Sequence, residues 1–248
     1  MLEFGRNNLG GRVGFTLILH TWDQQLRPHF HLHAVIAAGA LSAEGDRWIR
    51  ASRQFLFPVR ALSKVFRGKF LEEFSKLCRT GQLQLPPQLQ QLATRAGLHR
   101  WLCPLRKKRW NVYCNAPFAG PEKLWDYLGR YTHRVAISNQ RLLSADDGQV
   151  RFHYRDRADG DRRKIAVLPA AQFIGRFLQH VLPDRFMRIR HYGFLANRIK
   201  KQALAGCRAI CHNILEFSAR LLATFPFGNL RFGAFPFEIL LGSCDRRM

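Results

Sequence analysis

The chain has 248 residues, of which 47% are hydrophobic, so it is long enough to bury one large core or two small ones. Forty Lys and Arg residues oppose 17 Asp and Glu residues, and the formal net charge is +23. This imbalance predicts a polyanionic partner, with nucleic acid ahead of an anionic membrane and both ahead of a protein that is merely basic.

The sequence offers no signal for export or for membrane insertion. No apolar run reaches the ~18 residues of a membrane-spanning helix, and the N-terminal residues lack the apolar stretch of a signal peptide. The six cysteines are scattered without a CxxC pair, which is typical of reduced thiols. We therefore expect a cytoplasmic protein that does not bind a membrane.

The first half of the chain predicts a strand pair followed by helices. Residues 12–20 and 30–38 are β-branched and apolar, and their short polar link predicts an antiparallel pair, with Gly39 ending the second strand. Residues 55–78 carry apolar side chains at the helical period and predict a helix that ends at Gly81. The segments that follow predict a small helical insertion (82–104), a strand (109–118) and a helix that begins at Gly120-Pro121-Glu122.

The second half predicts a run of short elements. Three strands are expected at 134–138, 149–155 and 163–169, with a turn at Asp147-Gly148. An amphipathic helix (170–181), an extended or mixed segment (186–194) and a basic helix (197–222) are expected next. Residues after 222 are rich in Phe and Gly and have no clear period. Strands and helices mixed without βαβ regularity predict an α+β fold with a mainly antiparallel sheet and flanking helices.

Alternating histidines make residues 28–36, PHFHLHAVI, the most informative strand. Side chains alternate between the faces of a strand, so one face carries His29, His31 and His33, and the other face carries Phe30, Leu32 and Ala34 for packing on a core. Imidazoles two residues apart can converge on one divalent ion, which leaves open positions for a substrate. The alternative is that these histidines line a solvated or DNA-facing sheet without a metal.

A second pattern places two tyrosines on one helical face. Tyr127 and Tyr131 are four residues apart in DYLGRYTHR. A phenol with a pKa near 10 is a weak nucleophile until its phenolate is stabilised, which Arg130, Arg134 and a nearby metal could do. Attack on a phosphodiester would give a covalent phosphotyrosine, and two tyrosines would allow two successive transfers. The alternative is an aromatic pair that only packs in a core.

Together these segments resemble a known family of enzymes. TWDQQLRPHFHLHAVIAAGALS resembles the HUH (His-hydrophobic-His) segment of the rolling-circle transposases named after insertion sequence ninety-one. DYLGRYTHRVAISNQRLL resembles the two-tyrosine segment of that family, and FIGRFLQHVLPDRFMRIRHYGFLANR resembles its following block. The resemblance runs from about residue 9 to about residue 208, and it implies the HUH endonuclease core as the fold.

The resemblance also implies roles for individual residues. The metal-binding pair falls on His31 and His33, and the nucleophiles fall on Tyr127 and Tyr131. Relatives use a third polar ligand at a variable position, for which Gln24 is the candidate and His133 and His29 are alternatives. The implied cofactor is a divalent ion, Mg²⁺ or Mn²⁺, and the implied partner is single-stranded DNA at transposon ends, with Arg130 and Arg134 as DNA-binding residues.

Two departures from the family pattern concern the ends of the sequence. The Cys-rich, zinc-binding region that usually precedes the HUH strand is not among these residues, and the Phe-rich tail does not resemble the family. We therefore expect a catalytic domain over 1–212, an unassigned tail over 213–248, and a truncated or frame-disrupted copy. The expected activity is nicking and strand transfer of single-stranded DNA through 5′-phosphotyrosine. The rivals are an inactive DNA-binding remnant and, more distantly, an RNA-binding module.

Overall fold

The computed structural model describes residues 1–51, 56–115, 122, 124, 127–129 and 136–210, and the backbone of 237–242. The strands are β1 (Arg12–Trp22), β2 (Pro28–Leu41), β3 (Trp48–Arg50), β4 (Val112–Cys114), β5 (Leu142–Asp146), β6 (Gln149–Asp156), β7 (Arg162–Pro169), β8 (Ile189–Gly193) and β9 (Phe237–Gly242). The helices are α1 (Leu2–Leu9), α2 (Val59–Arg79), α3 (Arg95–Lys107) and α4 (Ala170–Leu178), and residues 127–129 and 200–210 are also helical.

Two antiparallel sheets organise the described residues. The main sheet has the strand order β4-β9-β2-β1-β8, with β3 pairing to β2, and the second sheet has the order β5-β6-β7. The predicted pair of strands is present as β1 and β2. Sheets of this kind with flanking helices confirm the α+β fold class. Among the described helices, none is long and apolar enough to span a membrane.

Three hydrophobic cores hold these elements together. The main sheet packs through β1 and β2 side chains against the start of α2, with Val13, Ile36 and Phe57 among the buried residues. The predicted helical insertion is present as a 3₁₀ turn (Pro87–Ala93) followed by α3, and it packs on α2. The second sheet lies on α4 and has its own core around Phe152.

Strand β2 departs from the sequence prediction in two ways. Gly39 does not end the strand but lies inside it. A glycine is needed there because Trp48 of β3 packs so closely that a Cβ on Gly39 would lie 2.6 Å from the Trp48 ring. Phe30, predicted to pack on the core, is 58% exposed, because it lies near the beginning of β2, beyond the core. Leu32 packs against the core and Ala34 is buried within it, as predicted.

The strand predicted over 134–138 is wrong for its described residues. Ala136 has a left-handed φ of 49°, and residues 136–138 are not a strand. The third strand of the second sheet is β5 instead. It joins β6 through Asp147 and Gly148, whose φ angles of 49° and 69° are the two positive values that a type I′ hairpin requires.

Part of the tail that the sequence left unassigned belongs to the main sheet. Strand β9 pairs antiparallel with β2 on one side and with β4 on the other. Strand β4 is shorter than predicted, covering three residues. Of the basic helix predicted over 197–222, residues 200–210 are helical, and residues 211–236 lie outside the described part.

Candidate functional site

The register of the β1–β2 hairpin brings a third histidine to the predicted pair. His20 of β1 pairs directly with His31 of β2, and His33 is two residues further on the same face. One ring nitrogen from each of the three histidines lies within 4.8 Å of the others. The sequence predicts that His20 lies at the end of a strand but does not connect it with the pair. The alternation of side chains gives the face within one strand, whereas the neighbours across the sheet depend on the register between strands.

A tight turn fixes this register. The carboxylate of Asp23 accepts hydrogen bonds from the backbone N–H groups of Gln25 and Arg27, each at 2.8 Å, and from the side chain of Arg27. Leu26 has a left-handed φ of 61°, which is costly for a bulky residue, but its side chain is fully buried in the core of the second sheet.

His180 ties the same turn to the region after α4. Its Nε2–H donates to the Leu26 carbonyl at 3.1 Å, so its Nδ1 carries a lone pair, which accepts from the Thr21 hydroxyl at 3.0 Å. All of these contacts are buried. The hairpin end that carries the three histidines is therefore held from both sides.

The protonation of His31 suits metal binding. Its Nδ1–H donates to the His29 carbonyl at 2.9 Å, which leaves the Nε2 lone pair available. Burial lowers the pKa of His31 to about 4, although the hydrogen bond to the carbonyl opposes this shift, and the charges of His33, His29 and Arg157 lower it further. His31 is therefore neutral at pH 7, the form in which an imidazole binds a metal.

Aromatic contacts hold the other two rings. His20 and His33 are 5% and 4% exposed, and their ring centroids are 4.5 Å apart. The Trp22 ring stacks on His20 at 4.8 Å with an interplanar angle of 17°. Three imidazoles packed this closely make a donor set that fits a divalent transition-metal ion.

Tyr127 lies directly on the histidine group. Its hydroxyl is 2.5 Å from Nδ1 of His33, and the tyrosine is 8% exposed. The structure therefore places Tyr127, one of the two predicted nucleophiles, beside the predicted histidine pair. Its predicted partner Tyr131, the predicted DNA-binding residues Arg130 and Arg134, and His133 lie outside the described residues.

The other candidates for a third ligand lie nearby. The ring of His29 is 4.8 Å from that of His31, but His29 is not part of the three-histidine group. Gln24 lines the same cavity as the histidines, its backbone carbonyl accepts a hydrogen bond from Arg141, and the residue is exposed. A ligand role for Gln24 stays a prediction, and His20 is the better placed of the three.

The histidine group opens into a polar cavity of about 1420 Å³ between the two sheets. The wall formed by the second sheet includes Arg155, Arg157 and Arg163, and the wall formed by β4 includes Tyr113. The sequence analysis did not single out these arginines. Their common signal is an excess of Arg around the turn between two predicted strands, which becomes informative only when that turn is known to face the histidines.

Comparison with known proteins gives the chain a family. A family model described as "Putative transposase" matches residues 14–203. "Putative transposase y4qJ" of Sinorhizobium fredii (strain NBRC 101917 / NGR234) is 50% identical over 201 residues, which are 81% of this chain and 50% of that protein. "Transposase for insertion sequence element IS801" of Pseudomonas savastanoi pv. phaseolicola is 29% identical over 204 residues, which are 82% of this chain and 48% of that protein.

The chain spans about half the length of the curated relatives it matches. No solved structure matches it. The family match runs through the histidine hairpin, Tyr127 and the second sheet, so it covers every part of the site described above. The chain therefore belongs to this family of transposases.

Proposed function

We propose that the chain nicks single-stranded DNA at transposon ends and rejoins it through 5′-phosphotyrosine intermediates, in the manner of rolling-circle transposition. The observation that carries the proposal is the 2.5 Å contact between the Tyr127 hydroxyl and His33, a member of the three-histidine group. This contact places the hydroxyl of the predicted nucleophile against a ring of the candidate ligand set, which is the juxtaposition that metal-assisted attack by a phenol requires.

The donor set supports a divalent ion as the cofactor. His20, His31 and His33 would hold it, and a bound ion would polarise the scissile phosphate as a Lewis acid. Three nitrogen ligands favour Mn²⁺ over Mg²⁺, because Mg²⁺ prefers oxygen ligands. A test of metal dependence therefore needs both ions.

His33 can connect the ligand set with the nucleophile. When its Nε2 serves as the ligand, its Nδ1 carries the proton and donates a hydrogen bond to the Tyr127 oxygen. A donor at this position stabilises the phenolate more than the phenol and so lowers the pKa of the nucleophile. His31 stays neutral because of its burial, so it needs no loss of a proton before it acts as a ligand.

The chemical step is a transesterification. The Tyr127 oxygen forms a bond to phosphorus and releases the phenolic proton, while the bond from phosphorus to the 3′ oxygen breaks and that oxygen takes up a proton. The products are a 5′-phosphotyrosine and a free 3′-OH, and the energy of the phosphodiester is kept for rejoining. Tyr131 would take the second transfer.

A denaturing gel that detects protein covalently attached to labelled single-stranded DNA tests this proposal. The wild-type chain is expected to form the adduct with Mn²⁺ and, more weakly, with Mg²⁺. The Tyr127→Phe/Tyr131→Phe variant should bind DNA and Mn²⁺ but form no adduct. The His31→Ala/His33→Ala variant should lose both the adduct and Mn²⁺ binding, and Tyr192→Phe is the matched tyrosine control that should react normally.

Two outcomes would contradict the proposal. An adduct formed by the double Phe variant would mean that the nucleophile is another tyrosine. Tyr113 and Tyr154, which line the cavity, would then be the candidates. A wild-type chain that binds DNA tightly but forms no adduct with either ion would be an inactive DNA-binding member of the transposase family.

A further inference from the structure

The arginines that line the cavity fall into two groups. Arg27 and Arg141 have structural partners, because Arg27 pairs with Asp23 at 2.7 Å and Arg141 donates to the carbonyls of Gln24 and His153. The second group is Arg155, Arg157 and Arg163, which are exposed and form no ion pair within the described part of the chain.

The acidic residues of the same hairpin are occupied by other cations. The carboxylates of Asp156 and Asp159 both bind the Lys164 ammonium group, at 2.8 and 2.9 Å. Asp159 also lies 3.5 Å from Arg162. These carboxylates therefore pair with Lys164 and Arg162, two cations that do not line the cavity. In the part of the cavity lining that this hairpin provides, three arginines outnumber the one carboxylate, Asp156, so this wall has a net positive charge.

The position of two of these arginines is unfavourable for folding. Arg155 of β6 and Arg163 of β7 are directly paired across the hairpin. Directly opposed side chains have Cβ atoms about 5 Å apart, and like charges at this distance destabilise a sheet. Arg157 follows at the turn and adds a third positive charge to the lining of the cavity that also contains the histidines. An anionic ligand between them would remove this repulsion.

We propose that Arg155, Arg157 and Arg163 form a phosphate clamp that holds the backbone of single-stranded DNA beside the three-histidine group. The inference rests on the proposed function for the identity of the anion. Guanidinium groups suit phosphate because their planar donors can bind two oxygens at once. The clamp lies in a different sheet from the histidines, so it holds the nucleotides that adjoin the reacting phosphate.

The cavity also favours a single strand over a duplex. Tyr113 lines it and is 61% exposed, and Tyr154 lies in the same cavity next to Arg155. An exposed aromatic ring such as that of Tyr113, in a cavity that also carries arginines, is a platform on which unpaired bases stack, whereas the bases of a duplex are already stacked on each other.

The test is the affinity of the full chain for a labelled oligonucleotide of about 20 nucleotides, measured by fluorescence anisotropy in EDTA between about 50 and 200 mM salt. The clamp variant is Arg155→Gln/Arg157→Gln/Arg163→Gln. The control variant, Lys64→Gln/Arg79→Gln/Arg95→Gln, removes the same charge from exposed residues of a basic groove between α2 and α3. Any difference between them is therefore local rather than an effect of net charge.

We expect the clamp variant to bind at least about tenfold more weakly, and the slope of log K against log salt to become shallower by about 2, since each single-strand phosphate contact contributes ~0.7. The control variant should keep the wild-type slope, and a variant with Lys at the three clamp positions should recover the slope. Tyr113→Ala should weaken single-strand binding about tenfold, from the loss of one stacked base, and leave duplex binding unchanged.

Equal slopes for the clamp and control variants would overturn the clamp, as would a clamp variant with wild-type affinity. Circular dichroism melting checks that each variant is folded. Because binding in EDTA involves no chemistry, the result is independent of the adduct assay. An adduct without a clamp effect overturns only the clamp, and a clamp effect without an adduct overturns only the nicking activity.

Discussion

The two sheets that border the cavity differ in the polar side chains that they contribute to its lining. The main sheet buries the imidazoles of His20 and His33 and half-buries that of His31, and the rings are held by stacking on Trp22 and by a hydrogen bond to a backbone carbonyl. The second sheet exposes the guanidinium groups of Arg155 and Arg163, which form no ion pair within the described residues. This difference follows from the two tasks, because a reacting group needs rigid, desolvated neighbours, whereas binding a flexible polyanion needs accessible charge.

The sheets also differ in the cores that support them. Among the residues that the structure describes, the core of the main sheet contains eight buried residues and the core of the second sheet contains four, so the second sheet should open at a lower free energy. The Trp22 and Leu26 side chains belong to the smaller core, although both come from the histidine hairpin. The two regions are therefore in contact, and their independence can be measured.

The largest effect is expected from Phe152→Ala. Phe152 is fully buried and lies 5.7 Å from the Phe173 ring, so truncation should lower the free energy of unfolding by about 3–5 kcal/mol in urea titrations. Phe57→Ala is the matched truncation in the main core, where Phe57 is 1% exposed. On warming, the Phe152→Ala variant should lose DNA binding before Mn²⁺ binding, whereas the Phe57→Ala variant should lose both together. Simultaneous loss in the Phe152→Ala variant would mean that the two sheets unfold as one unit.

An intermediate effect is expected from His20→Ala. Removing one of three candidate ligands should weaken Mn²⁺ binding by at least about 10- to 100-fold in calorimetric titrations. Losses of that size are already usual when a residue that only hydrogen-bonds to a metal ligand is removed. His29→Ala is the matched control, because His29 contacts the His31 ring but is outside the group. It should change the affinity by less than about threefold.

The same titration separates the candidate third ligands. A Gln24→Ala variant that loses as much Mn²⁺ affinity as the His20→Ala variant would restore Gln24 as a ligand. A His20→Ala variant with unchanged affinity would show that His20 only packs against the other rings, and the site would then consist of the predicted pair.

The smallest effect is expected from Tyr127→Phe on stability. The substitution removes one hydrogen bond to His33 and keeps the ring, so the free energy of unfolding should fall by only about 1 kcal/mol. Differential scanning calorimetry beside the Tyr192→Phe variant measures it. A loss above about 3 kcal/mol would mean that the phenol is mainly a structural partner of the histidine, and it would weaken the case for a nucleophile.

Helices and strands whose apolar side chains recur at a regular spacing can be predicted from the sequence alone. The two apolar strands, the alternating histidines, the amphipathic helix after residue 169 and the strands on both sides of the Arg157 turn all follow from spacing along the chain. The resemblance carried by the HUH and two-tyrosine segments predicted the family that the comparisons confirm. Within the site, spacing singled out the alternating histidines and the tyrosine pair, and the resemblance implied the roles of His31, His33, Tyr127 and Tyr131, which stay predictions.

Contacts that depend on strand register and on packing between distant segments become visible in the tertiary structure. It brought His20 opposite His31, allowed β2 to continue through Gly39 beneath Trp48, and used residues 237–242 as a strand between β2 and β4. It also placed the Arg155–Arg163 pair in the lining of the cavity that contains the histidines. The physical reason is that a side chain's face follows from the backbone repeat, which is local, whereas its neighbours follow from strand pairing and burial, which join residues far apart in the chain.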